Sequence, residues 1–189
     1  FIIKALNEES NIAACIDSCM REANAYASEI ILVDSLSTDK TVEIAKQYPI
    51  DIVQFSNQND VGCGAAAQLG FQCSKGKYIF LIDADMELIE GFVAKALDYL
   101  ENNTDTAGVS GMIIDNQVLT SADKRRINRY SNTSGVTSVI SLGGGGLYRR
   151  EAIEKSSYFA HPKLKACEEL ELGVRLKSID YKLIRLGTP

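Results

Sequence analysis

Tyr78-Ile79-Phe80-Leu81-Ile82-Asp83-Ala84-Asp85 is an apolar run that ends abruptly in two carboxylates. A short continuous run of this kind reads as a strand buried on both faces. The same design stands earlier, where Ile30-Ile31-Leu32-Val33 ends at Asp34. Working outward, Ile2-Ile3 ends at Asn7-Glu8-Glu9-Ser10, and the spacing of Ile12, Cys15, Ile16 and Cys19 predicts a helix over 10–24 with those residues on one face. Ser37-Thr38-Asp39 offers an N-cap to a helix running through Tyr48. Ile50–Phe55 reads as a strand, and the polar stretch Ser56–Asp60 leads to an Ala-rich helix through Ser74. After the strand Lys77–Ile82 come a helix over 90–102 and a strand Gly108–Ile114. Strand–helix alternation predicts an α/β fold, an open and mostly parallel Rossmann-like sheet with helices on both faces. Ligands of such sheets bind at the carboxyl ends of strands, where Asp34 and Asp83 stand.

Beyond residue 115 the character changes. Residues 115–142 are polar and carry the basic stretch Lys124-Arg125-Arg126 with Arg129. Then come the glycine run 143–146, a strand-like Leu147-Tyr148, a short helix near 150, a helix over 167–178 and a last strand-like run before Gly187. No linker separates two domains, and 189 residues suit one core. The chain opens inside an apolar run without Met, so it is expected to be a piece of a longer protein, clipped at both ends.

Composition narrows the chemistry. A net charge of −5 gives nucleic-acid binding no electrostatic support. Five irregularly spaced cysteines fit a reduced, cytoplasmic chain. With His161 as the single histidine, acid–base and metal chemistry fall to the 25 acids. Asp83 and Asp85, at i and i+2 past a strand end, can converge on one hard cation, and oxygen ligands suit Mg²⁺ or Mn²⁺. A solvated strand-end turn is the plain alternative. Gly62-Cys63-Gly64-Ala65-Ala66-Ala67 imitates a dinucleotide-binding loop, but Ser56–Asp60 separates it from any strand, and small residues that admit a helix close to the sheet explain it better. Glu168-Glu169-Leu170-Glu171-Leu172 opens a helix with acids that suit its dipole. One of them can serve as a general base; Glu168 and Glu171 share a face at i,i+3, and Glu169 is expected to point elsewhere.

Together these motifs resemble a family 2 glycosyltransferase of the GT-A fold. The resemblance runs over nearly the whole chain. It is carried by Leu6-Asn7-Glu8-Glu9, by Val33-Asp34-Ser35-Leu36-Ser37-Thr38-Asp39-Lys40-Thr41, by the glycine and alanine helix Asn59 to Gly70, by Asp83-Ala84-Asp85, by Gly144 to Arg150, and by Glu168-Glu169-Leu170-Glu171-Leu172-Gly173-Val174-Arg175. The resemblance implies inverting transfer of a sugar from a UDP- or GDP-sugar to a glycan or lipid-linked acceptor. Residues 1–114 would form the nucleotide-sugar half and 115–189 the acceptor-side half. It implies Leu6, Asn7, Glu8, Asp34, Ser35, Gly62, Asp83 and Asp85 at the nucleotide sugar, Asp85 and Asp83 on Mn²⁺ or Mg²⁺, and Glu169 or Glu168 as base. It places the protein in the cytoplasm, at the inner face of a membrane if parts outside this chain anchor it. Three residues depart from the family's pattern: Lys4 stands for a proline, Ser35 for an aspartate and Glu169 for an aspartate. A sugar nucleotidyltransferase would want a Gly- and Arg-rich loop that residues 4–11 lack. A non-catalytic sugar- or nucleotide-binding module would bind without turnover.

Overall fold

The computed structural model describes residues 1–114 and 135–187. The basic stretch at 124–129, and with it residues 115–134 of the expected acceptor-side half, lie outside these residues. In chain order the elements are β1 Ile2–Ala5, α1 Ile12–Ala23, β2 Ile31–Asp34, α2 Thr41–Ala45, β3 Asp51–Gln54, α3 Cys63–Cys73, β4 Tyr78–Asp83, α4 Phe92–Asn102 and β5 Thr106–Ser110. They continue with β6 Val136–Val139, β7 Gly145–Arg149, α5 Arg150–Lys155, α6 Glu168–Ser178 and β8 Lys182–Leu186.

All described strands join one sheet in the order β3-β2-β1-β4-β7-β5-β8-β6. The half β3-β2-β1-β4 is parallel throughout, as the alternation predicts. The other half is mixed, because β7 runs antiparallel to both β4 and β5 and β6 runs antiparallel to β8. The expectation of a mostly parallel sheet therefore holds for the first half and gives way to a mixed order in the second.

Strand side chains alternate between faces, and this divides the core in two. On one face Ile2, Val33, Leu81 and Tyr148 pack with Ala66 and Ala67 of α3 and with Leu172 and Leu176 of α6. On the other, Ile3, Leu32, Phe80 and Ile82 pack with Cys15, Ile16 and Cys19 of α1 and with Val93, Ala96 and Leu100 of α4. The small residues of α3 act as spacers: a Cβ on Gly70 would stand 2.4 Å from Ile2 Cγ2. That favours the packing reading of the glycine–alanine run.

The strand expected over Gly108–Ile114 runs instead over Thr106–Ser110, and two further elements differ from the sequence pattern. The helix expected through Tyr48 ends at Ala45, and its last amides make tighter bonds, Gln47 N to Ile44 O and Tyr48 N to Ala45 O. Pro49 disfavours helical backbone at the residue before it. Strand β6 lies at the end of a segment read as polar; Val136 and Ser138 are exposed, and pairing with β8 holds the strand.

Helix α6 carries acids that matter below, and its height over the sheet is set by one glycine. A Cβ on Gly173 would lie 1.7 Å from the carbonyl oxygen of Ile140, a backbone atom that cannot step aside alone. Gly173→Ala should therefore destabilise the chain by about 3 kcal/mol or more, as overpacking against backbone does. Urea unfolding measures it, and an unchanged midpoint would refute the packing described.

Candidate active site

Strands β1 and β4 are parallel neighbours, and their register pairs Lys4 with Asp83. Period-two alternation puts both on the face of Ile2 and Leu81, the face that α6 covers. Helix α6 begins after Cys167, whose backbone is left-handed at φ 62°, and turns its first residues down toward the strand ends. Glu168 and Glu169 both reach Lys4. The ammonium stands 2.5 Å from Glu168 Oε1, 3.3 Å from Glu169 Oε1 and 3.1 Å from Asp83 Oδ1. The expectation that Glu169 points elsewhere is thus corrected: both carboxylates, on consecutive residues of the first helical turn, reach the one ammonium between them. Glu171 is the one that departs. It receives two bonds from Arg175, Nε to Oε1 at 2.6 Å and Nη2 to Oε2 at 2.9 Å, and one from Tyr158 Oη.

Water has little access to this cluster. The side chains of Lys4 and Glu168 are 8% and 3% exposed, that of Glu169 13%, and that of Asp83 39%. Burial alone would lower the Lys4 ammonium, but Glu169, Asp83 and Glu168 outweigh it and hold the amine above its ordinary range. For Asp83 burial dominates and raises the carboxyl; Lys4 offsets part of this, and Asp85 and Glu168 add to the rise. Glu169 behaves alike: burial raises it, Lys4 opposes and Glu168 adds. A carboxylate raised above its ordinary range, beside a fixed cation, suits proton transfer.

The sequence pattern missed Tyr148. Its hydroxyl is fully buried and, among the described residues, is the buried side-chain polar atom without a hydrogen-bond partner. Burial, then Glu169 and Glu168, push that hydroxyl up. Its place between the glycine run and Arg149-Arg150 gave no signal of that burial. Lys4 was visible only as a departure from a proline; its partners lie about 80 and 165 residues on and could not be read from spacing.

The residues expected at the nucleotide form a second group. Asn7, at φ 57°, accepts from Thr38 N at 2.8 Å through Oδ1 and donates its own N–H to Ser37 Oγ at 2.9 Å. Glu8 N donates to Thr41 Oγ1 and Glu9 N to Asp39 Oδ2. The loop after β1 and the loop after β2 are thereby one unit. Asp34 is buried beneath it, and its Oδ2 accepts from Ser37 N and Gln54 Nε2, both at 3.1 Å. Ser35 N donates to Ala5 O. Leu6 is half exposed on the rim. Gly62 caps α3, close under Leu164 and Lys165.

Asp85 is exposed and lines a cleft of about 850 Å³ with Asp83, Asn11, Met86 and Gly144. Gly144 shapes its wall: a Cβ there would fall 2.2 Å from Asp83 Oδ2. The donors fit a hard divalent ion in one limited way. Asp85 and the Asp83 oxygen away from Lys4 supply carboxylates, and water and a diphosphate complete such shells. Among the described residues no three acid, cysteine or histidine side chains gather as a ready-made metal site.

The family model described as Glycosyl transferase family 2 matches residues 1–157. A dolichyl-phosphate beta-glucosyltransferase of Trichomonas vaginalis is 28% identical over 157 residues, 76% of this chain and 47% of that protein. Staphylococcus aureus TarS in complex with UDP-GlcNAc superposes with a TM-score of 0.77 at 15% identity, over 100% of this chain and 55% of that one. Mannosyltransferase PcManGT of Pyrobaculum calidifontis, in complex with GDP-Man and Mn²⁺, gives 0.72 at 20% identity, over 100% and 53%. The fold is GT-A, and the chain spans about half the length of these relatives.

The raised Glu169 carboxyl has a consequence for stability. Its folded value lies above the ordinary 4.5, so the stability linked to it is present below pH 4.5 and is lost as pH rises through the folded value. Glu169→Gln does not titrate and escapes that loss. Its melting temperature should exceed the parent's at pH 7 and converge with it near pH 4. Equal melting temperatures at pH 7 would contradict the burial described.

Proposed function

Because the chain belongs to glycosyl transferase family 2, we propose that it carries the donor half and the base of an inverting, metal-dependent sugar transfer from a UDP- or GDP-sugar to a hydroxyl of a glycan or lipid-linked acceptor. One observation carries this reading. Lys4 bridges Asp83, at the end of a donor-side strand, to Glu168 and Glu169, at the start of α6, so that the two sides of the reaction meet at one ammonium. The names of the relatives support the same class, since they act on or bind nucleotide sugars and a lipid phosphate.

The nucleoside would lie over the joined loops, against Leu6, Asn7 and Ser35, with Glu8 and Asp34 holding the loops from within and Gly62 close by. Asp83 and Asp85 would face the diphosphate. A Mg²⁺ or Mn²⁺ ion held by Asp85, with Asp83, would neutralise charge on the leaving nucleoside diphosphate. Glu169 would take the proton of the acceptor hydroxyl. The freed oxygen attacks the anomeric carbon from the face opposite the diphosphate, the bond from that carbon to the phosphate oxygen breaks, and configuration inverts. Glu169 is the better base than Glu168: its contact with Lys4 is 3.3 Å against 2.5 Å, and it is the more exposed. The chain has no helix among its described residues long and apolar enough to cross a membrane.

A UDP- or GDP-sugar should raise the melting temperature when Mn²⁺ or Mg²⁺ is present, and Asp85→Ala should abolish that metal-dependent rise. Glu169→Gln should keep donor binding while transfer falls by about 10²–10⁴-fold. A flat melt across a panel of nucleotide sugars with metal would sink the proposal. Unchanged transfer by Glu169→Gln would move the base to Glu168.

A further inference from the structure

Three carboxylate oxygens, one each from Asp83, Glu168 and Glu169, converge on a single point, and that point holds Lys4 Nζ at 3.1, 2.5 and 3.3 Å. Three carboxylate oxygens around one centre are of the kind a divalent cation takes, but two of them stand beyond the roughly 2.0–2.6 Å of such coordination, so the set is spaced for an ammonium and not as a ready-made metal site. Here the centre is filled by an ammonium whose stem is fixed in β1, in register with Asp83. We propose that Lys4 is the resident cation of this site, a positioning residue that ties Asp83 to the first turn of α6 and shuts divalent ions out of the three-carboxylate centre. The inference rests on the reading of this cluster as the active site.

The consequences follow from charge and tethering. A metal ion in the centre would take Glu169 as a ligand, and a carboxylate on a metal is a poor proton acceptor. An ammonium donates hydrogen bonds to the carboxylate without coordinating it, and Glu169 keeps a free oxygen. Divalent metal is left to Asp85 and the outer oxygen of Asp83, a pair too sparse to hold an ion well until a diphosphate adds its oxygens. The bare chain should therefore bind Mn²⁺ weakly. Removing the ammonium should open a new and tighter site.

The test uses Mn²⁺ alone, with no donor, on the parent chain, Lys4→Gln and Lys4→Arg, read by electron paramagnetic resonance of free Mn²⁺ and by melting temperature. Lys4→Gln should bind Mn²⁺ at least about tenfold more tightly than the parent and should gain melting temperature when it is added. Lys4→Arg keeps the cation and should show neither gain. Should Lys4→Gln fail to fold without metal, Mn²⁺ should restore its cooperative melt, and failure of Mn²⁺ to do so overturns the proposal as well. No gain in Mn²⁺ affinity on removing Lys4 overturns the proposal. So does a parent chain that binds Mn²⁺ tightly without nucleotide and loses it on Glu169→Gln. Because no donor is used, this outcome is separate from the donor melt: a chain that ignores nucleotide sugars yet gains Mn²⁺ on losing Lys4 would sink the function and keep the role of Lys4.

Discussion

Lys4 carries a charge to a place where water cannot solvate it, and Asp83, Glu168 and Glu169 supply the solvation in water's place. Removing the ammonium from such a cluster leaves its buried carboxylates uncompensated and costs about 3–5 kcal/mol. Lys4 has three partners on two further elements, β4 and α6. The cluster therefore fixes the position of α6 relative to the strand ends, and with it the distance between Asp83 and the two glutamates. Burial of like charges is unfavourable, which raises Asp83 and Glu169. An active site that needs a proton acceptor makes use of that same strain.

The surroundings hold this geometry from behind. Arg175 grips Glu171 one turn below, donates to the carbonyls of Ser156, Tyr158 and Phe159, and lies 3.8 Å from the centroid of the Tyr158 ring. Gln68 of α3 accepts from Phe159 N and Ala160 N. Gly64 N donates to Leu164 O, and a Cβ at Gly64 would stand 2.4 Å from His161 O. The stretch 156–165 is thus a strap from α6 to the start of α3. It joins α3 to the acid-bearing helix without passing through the sheet. His161 is exposed in this strap and has no contact with the acid cluster among its hydrogen bonds.

Much of the first half was legible because its signals are local. A buried apolar run ending in Asp, as at Val33-Asp34 and Ile82-Asp83, fixes both a strand and the position of its polar end. The capping role of Asp39 was visible from Thr38 and Thr41 around it, and Asp39 does accept from Thr41 N at 2.9 Å. What was not legible depends on contacts distant in sequence. Lys4 reads as an oddity within Ile2-Ile3-Lys4-Ala5 until the register sets it beside Asp83. Strand β6 has no apolar face of its own, and the antiparallel course of β7 depends on which strands it lies between. Glu22 looks like a surface acid of α1, yet it accepts from Gly91 N and Val93 N and caps α4.

The account turns on one ammonium standing between donor and base while a metal ion stands elsewhere. Crystals of this chain grown with Mn²⁺ and a UDP- or GDP-sugar, measured for anomalous scattering at the manganese edge, test it most directly. The account predicts one manganese peak beside Asp85 and the donor diphosphate, with Lys4 Nζ still within hydrogen-bond distance of Glu168 and Glu169. A manganese peak within coordination distance of Glu168 or Glu169, with Lys4 displaced, would contradict it.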